Sequence, residues 1–296
     1  MKTTSRREAL CRIGALVPAF AAEARPKARK PVMAAHAWVY AARQPGFDFT
    51  PVLEQIFADL SYAGFDAVEL MERALRHEDA VDRIGSLSQK YKLPVIGTSY
   101  DAPMWNRAEH ARILKDAEVV IGRLAKLGGR VLGTSVGDAR RLKTEAELDA
   151  QADILKKLIG ICDANGVVLN LHNHIYEVAN NEHDLRGTLA RIPGAKLGPD
   201  LDWLVGAGVD PVDFLRRYGR RIVYMHLRDR KADRVWPEAV GEGATDFAAI
   251  GRELRRQDYS GDMAIELAHP PGFKLTRPLR ESWKMSRDYV RRVMGY

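Results

Sequence analysis

From residue 32 to the C-terminus, short apolar runs alternate with longer stretches whose apolar residues recur three and four positions apart. The short runs predict strands at 32–40, 66–71, 93–100, 130–136, 167–173, 196–202, 222–229 and 262–268. Between them, 51–63 sets Val52, Ile56, Phe57 and Leu60 on one helical face, and 113–127 and 147–164 repeat the pattern. The turns Ala63-Gly64-Phe65-Asp66, Gly128-Gly129, Asn165-Gly166 and Ser260-Gly261 separate helix from strand. A glycine there closes a helix at little cost by taking the left-handed conformation.

Eight strand–helix units without a break in composition predict an α/β fold, a single closed (β/α)8 barrel over residues 32–296. Barrels of this kind often run to ~250 residues as one domain, so the length does not call for two. The rival is an open doubly wound sheet, which carries a glycine-rich phosphate turn after its first strand. This chain has His36-Ala37-Trp38 there.

Charge changes the picture only at the N-terminus. The net charge of +7 suggests a nucleic-acid partner, yet residues 1–31 hold eight basic and two acidic residues, which leaves +1 for the rest. A body so near neutrality has no bulk excess for phosphate backbones, and no nucleic-acid partner is expected. Within the tail, Ser5-Arg6-Arg7-Glu8-Ala9-Leu10 resembles a twin-arginine export signal, followed by an apolar stretch from Ile13 to Ala22. Ala19-Phe20-Ala21 offers a small-x-small cleavage site after Ala21. The expectation is a signal and linker over 1–31 and a periplasmic or secreted protein. The alternative is a basic extension on a cytoplasmic one. No run of about 18 apolar residues is present, so no stable membrane insertion is expected. Two cysteines, Cys11 and Cys162, exclude a disulfide framework and a four-thiolate zinc site.

A barrel keeps its chemistry at the C-terminal ends of its strands, and the polar residues predicted there are numerous. They are Glu69 on strand two, His172 and His174 with Glu177 beyond on strand five, and Asp202 on strand six. His226 and Arg228 follow on strand seven and Glu266 on strand eight, while His36 and Trp38 face the same mouth from strand one. Burying such groups without partners costs several kcal/mol each, and a shared divalent cation explains them together. Each has a plainer alternative: Glu69 as a salt-bridge partner, His174 as an orienting or substrate-binding group, Trp38 as packing.

The segments Asn170-Leu-His172-Asn-His174-Ile-Tyr-Glu177, Asp200-Leu-Asp202-Trp203, Gly208-Val-Asp210-Pro211, His226-Leu-Arg-Asp229, Val240-Gly-Glu242-Gly-Ala-Thr-Asp246-Phe247 and Ala264-Ile-Glu266 resemble the xylose-isomerase-like sugar isomerase/epimerase superfamily. The His-Asn-His form is similar to a subgroup labelled sugar phosphate isomerase/epimerase. The resemblance implies one divalent metal held by Glu, Asp, His and Glu from strands five to eight. Asp202, His226 and Glu266 match the last three, and His172 stands where the first glutamate is expected, so His172 ligates or Glu177 or His174 takes over that role. Two imidazoles with two carboxylates suit Mn²⁺, Zn²⁺, Co²⁺ or Fe²⁺ better than Mg²⁺.

The reaction implied is proton transfer beside the carbonyl of a keto-sugar or related polyol, with Glu266 as base or ligand, His172 or Glu177 across the substrate, and His174 and Arg228 on sugar oxygens. The runner-up is a lyase of the inosose-dehydratase or keto-glycoside type, which starts from the same enolisation. An apurinic-endonuclease-type repair enzyme shares the barrel but needs a histidine after Asp-Arg, and here Asp233-Arg234 precedes Val235. A non-catalytic sugar-binding barrel is the remaining alternative. A small sugar is the expected partner, and a homo-oligomer is compatible with the sequence.

Overall fold

The computed structural model describes residues 31–270 and 272–296. The export signal expected over 1–31 lies outside the described residues but for Pro31.

Eight parallel strands form one sheet: β1 (Met33–His36), β2 (Ala67–Met71), β3 (Val95–Asp101), β4 (Val131–Ser135), β5 (Val168–Leu171), β6 (Lys196–Leu197), β7 (His226–Leu227) and β8 (Met263–Ile265). Their order is β6-β5-β4-β3-β2-β1-β8-β7, and single bridges between Leu197 and Ile222 and between Asp200 and His226 bring the two ends together. The result is an α/β barrel.

Most strands are shorter than the apolar runs predict. The runs continue into the turns that leave the barrel, where side chains stay buried after the ladder stops. After β1 the chain turns directly into the helix Trp38–Ala41. After β6 it reaches a helix at Leu201–Gly206, so residues expected at a strand end begin a helix instead.

The outer helices follow the apolar periodicity. Leu53–Ala63 buries Leu53, Ile56, Phe57, Leu60 and Ala63, and Gly64 ends it at φ 78°. His110–Lys126 and Glu145–Ala164 extend the two other expected helices at their N-terminal ends. Thr144 accepts the Glu147 N–H while Glu147 reaches back to the Thr144 N–H, a capping box that fixes where Glu145–Ala164 begins. The last helix, Leu279–Met294, packs against Leu53–Ala63. Its Trp283 is fully buried and donates to Tyr40 Oη at 3.1 Å, whereas Met285 is exposed.

Two apolar clusters divide the core. The larger lies between strands and helices. Ala34, Ala67, Ile96, Val131, Tyr224 and Ala264 form the smaller one inside the ring, beneath the polar layer. Register then sets that layer: His36 pairs with Glu69, Asp200 bridges to His226, and a shift between Val68 and Glu69 re-aims the end of β2.

Candidate metal centre at the barrel mouth

His226, on β7, is the hub of the polar layer. Its Nε2 donates to Glu69 Oε2 at 2.8 Å, since a carboxylate can only accept. The other nitrogen, Nδ1, faces Glu266 Oε2 at 2.8 Å without the alignment of a hydrogen bond. Burial works against a charged His226 ring, but Glu69 and Glu266 outweigh it and hold its pKa well above the usual histidine range.

Asp200 supplies the carboxylate beside it. Its Oδ1 accepts the N–H groups of Asp202 at 2.9 Å and Trp203 at 3.2 Å, capping the Leu201–Gly206 helix. Asn173 holds its backbone on both sides, accepting the Asp200 N–H at 3.2 Å and donating to the Asp200 carbonyl at 3.3 Å. Asp200 Oδ2 is buried with no hydrogen-bond partner, as is His226 Nδ1. Ligand atoms of His172, Asp200 and His226 all lie within 4.8 Å of one another. Burial pushes the Asp200 carboxyl up to about 6 and the His172 imidazole well below its usual range, so His172 presents a neutral ring.

Glu266 touches this triangle at His226 and is tied on its other side to the Arg228 guanidinium through Oε1. Burial favours a neutral Glu266, but Arg228, His36 and His226 override it and hold the carboxylate ionised. Arg228 is itself buried, with Nε 3.5 Å from Asp200 Oδ2 and the guanidinium 5.0 Å from the Trp203 ring and 5.3 Å from Trp236. His36 completes the floor, with Nδ1 3.5 Å from Glu266 Oε2 and Nε2 3.2 Å from Ser99 Oγ.

Above the floor opens a cleft of about 890 Å³ lined by His36, Trp38, His172, His174, His226, Arg228 and Glu266, among others. His174 stands on its wall, 3.1 Å from Ser135 Oγ and stacked on Tyr176. Burial lowers its pKa to about 4.

Three residues singled out in the sequence go elsewhere. Asp202 is gripped by Arg230 through two bonds of 2.6 and 2.7 Å and by Trp236 Nε1 at 2.9 Å. Among the described residues, the carboxylate grouped with the two imidazoles is Asp200. The physical reason is the early end of β6: Asp200 is the helix cap, and Asp202, two residues into a helical path, is turned toward the β7 loop. Glu177 is likewise withdrawn from the cleft, accepting the N–H groups of His174 at 2.7 Å and Val136 at 3.3 Å as half of a capping box. Glu69 lies behind His226 rather than on the cleft surface. Sequence reasoning passed over Asp200, Ser99, Ser135 and Trp236. Ser99 and Ser135 end or nearly end β3 and β4, so the strand-end rule could have found them.

The chain matches the family described as xylose isomerase-like TIM barrel over residues 57–293. Among curated proteins it is similar to an inosose dehydratase of Geobacillus kaustophilus, 26% identical over 173 residues that cover 52% of this chain and 55% of that enzyme. It therefore spans little more than half the length of that relative. The rhizopine catabolism protein MocC of Rhizobium meliloti is 26% identical over 254 residues, covering 74% of this chain and 75% of that protein. Among solved structures, a D-allulose 3-epimerase from Methylomonas sp. superposes with a TM-score of 0.71 at 17% identity, covering 90% of this chain and 98% of that one. An L-ribulose 3-epimerase gives 0.70 at 21% identity, covering 90% and 95%. These structural likenesses carry the fold. The chain belongs to the xylose isomerase-like TIM barrel family.

Proposed function

Starting from that membership, we propose that the protein is a divalent-metal-dependent sugar isomerase or epimerase that moves a proton on the carbon beside the carbonyl of a keto-sugar or related polyol. The observation that carries this reading is the pair of orphaned buried atoms, Asp200 Oδ2 and His226 Nδ1, gathered with His172 at the floor of the cleft. Each has only an ionic neighbour, Arg228 Nε at 3.5 Å and Glu266 Oε2 at 2.8 Å, and a cation would give both a direct partner. His172, Asp200 and His226 would hold it, with Glu266 beside them. The donor set favours Mn²⁺, Fe²⁺, Co²⁺ or Zn²⁺ over Mg²⁺.

Such an ion, when bound, would supply Lewis acidity toward a carbonyl oxygen. The side chains do the rest. Glu266 is the carboxylate base. Its contact with Arg228 keeps it ionised and also weakly basic. An Arg228 that turns toward substrate oxygens leaves Glu266 more basic where the proton is taken. His174, His36, Ser99 and Ser135 offer neutral donors and acceptors for sugar hydroxyls around the mouth.

A second reading is β-elimination, favoured by the dehydratase names among the curated relatives. It shares the proton removal and differs in expelling a leaving group instead of returning the proton. The basic tail, read as an export signal, supports a free rather than phosphorylated substrate. The test is incubation of the metal-loaded protein with a panel of keto-sugars in D₂O, followed by NMR. Deuterium at the carbon beside the carbonyl, abolished in Glu266→Gln, is the expected outcome. Exchange that survives the substitution, or none with any ketone, overturns the assignment. An epimer favours proton return and an unsaturated product favours elimination.

A further inference from the structure

The cleft is polar and charged on its floor and, through Glu72, Arg73 and Asp101, on its β2–β3 side. Its outer part, over β1 and β8, is aromatic: Trp38 stacks on Phe47 at 5.4 Å and 19°, and His269 stacks on Phe273 at 4.6 Å and 14°. Arg43, just past the Trp38–Ala41 helix, reaches His269 Nδ1 at 3.3 Å and lines the same cleft as both stacks. Phe47 remains 44% exposed although it is large and apolar. On the facing side, Trp203 and Trp236 meet edge to face at 5.7 Å.

Size gives the second argument. Pockets that enclose drug-sized ligands run about 300–1,000 Å³, and a single sugar ring is smaller than such ligands. A volume of about 890 Å³ leaves most of the cleft empty around one ring seated on the floor. Connectivity gives the third. The Trp38 N–H donates to His36 Nδ1 at 3.2 Å, and that same nitrogen lies 3.5 Å from Glu266 Oε2. The aromatic surface therefore begins directly beside the reacting floor, where a substituent on the bound sugar emerges.

We infer that Trp38, Phe47, Arg43, His269 and Phe273 form a second subsite for a flat-faced ring attached to the reacting sugar, so that the substrate is a keto-glycoside rather than a free ketose. The inference rests on the proposed function above for which ring sits on the floor. Two sources share the required chemistry: an aryl aglycone, and a second sugar presenting its apolar C–H face. Both stack on aromatic rings, and Arg43 adds a donor for ring substituents.

The test measures binding to the metal-loaded protein by calorimetry, so it does not depend on turnover. The probes are the 3-keto derivatives of methyl glucoside, 4-nitrophenyl glucoside and a glucosyl-glucose disaccharide, each in α and β form. At least one two-ring probe is expected to bind about tenfold more tightly than its methyl counterpart, as one good ring stack supplies. In Phe47→Ala and Phe273→Ala, on exposed loops and checked for folding by circular dichroism, that preference falls about tenfold. Preference for the nitrophenyl probe identifies an aryl site, and preference for the disaccharide a sugar site. Equal affinity for one- and two-ring probes, no binding of any probe, or a preference untouched by both substitutions overturns the subsite. A retained preference without deuterium exchange into any ketone sinks the proposed reaction and leaves the subsite standing.

Discussion

Glu69 and His226 share a hydrogen bond of 2.8 Å beneath the cleft, and Glu69 reaches no substrate from there. Its effect is on the far side of the ring, where Nδ1 has no hydrogen-bond partner. Partners of this kind set the tautomer and basicity of a ligating histidine. Glu69→Gln is therefore expected to weaken Mn²⁺ or Co²⁺ binding about 10–100-fold in calorimetric titration while the barrel stays folded. An unchanged dissociation constant would show that Glu69 is merely buried structure.

Asp200 and Asp202 are two residues apart and predict opposite phenotypes. Asp200→Asn removes the charge from the orphaned oxygen and should raise the metal dissociation constant more than about tenfold. Asp202→Asn loosens Arg230 and Trp236 and should cost about 2 kcal/mol of folding stability, the loss expected for hydrogen bonds to a charged group, while metal binding persists. Urea titration beside calorimetry separates the two, and a reversed pattern would reassign the ligand to Asp202.

Metal removal should be visible as lost stability. An ion that binds only the folded chain stabilises it by about 2.7 kcal/mol at a hundredfold excess over Kd, roughly a 5–10 °C rise in Tm for a chain of this size. Mn²⁺ should raise Tm by that order, EDTA should reverse it, and the Asp200→Asn variant should show neither effect. A wild-type Tm indifferent to both reagents would argue against the centre.

Glu177 gives a pH dependence remote from the chemistry. Burial pushes its carboxyl up to about 8 against the two N–H bonds that it accepts. With the folded pKa above the unfolded one, the stability linked to its proton is complete below about 4.5 and is lost as pH rises through about 8. Wild-type stability should therefore fall relative to Glu177→Gln between pH 5 and 8, by an amount of order 4 kcal/mol. Denaturation curves of both proteins at several pH values check this, and parallel profiles would place the proton elsewhere.

The barrel was legible because its signal is repetitive: eight apolar runs, helical periodicity between them, and glycines where helices stop. The polar residues that meet at the mouth were legible where an apolar run closes on a bulky polar side chain, as at His36, His226 and Glu266, although β1, β7 and β8 are shorter than their runs. Expected and observed placements differ where local geometry changed the count. At β6 the ladder lasts two residues, so strand alternation no longer says which of two aspartates faces the centre. At Glu177 the sequence did carry the relevant signal, an acidic residue three positions after the helix cap, but the run of histidines drew attention to chemistry rather than capping. The aromatic surface over β1 and β8 was hidden for another reason. Phe47 and Phe273 come from separate loops, and only the closed ring makes those loops neighbours.

One consequence follows from the divided carboxyl group of Asp200. One oxygen anchors the first turn of the Leu201–Gly206 helix and the other lies beside His172 and His226, so the local architecture and the proposed centre depend on a single side chain. An inserted or deleted residue between Leu197 and Leu201 cannot be absorbed as ordinary loop variation, because it would uncouple the turn from the reaction centre. Trp203, whose N–H hangs on the same anchor, would shift with it, and altered substrate preference would accompany lost chemistry.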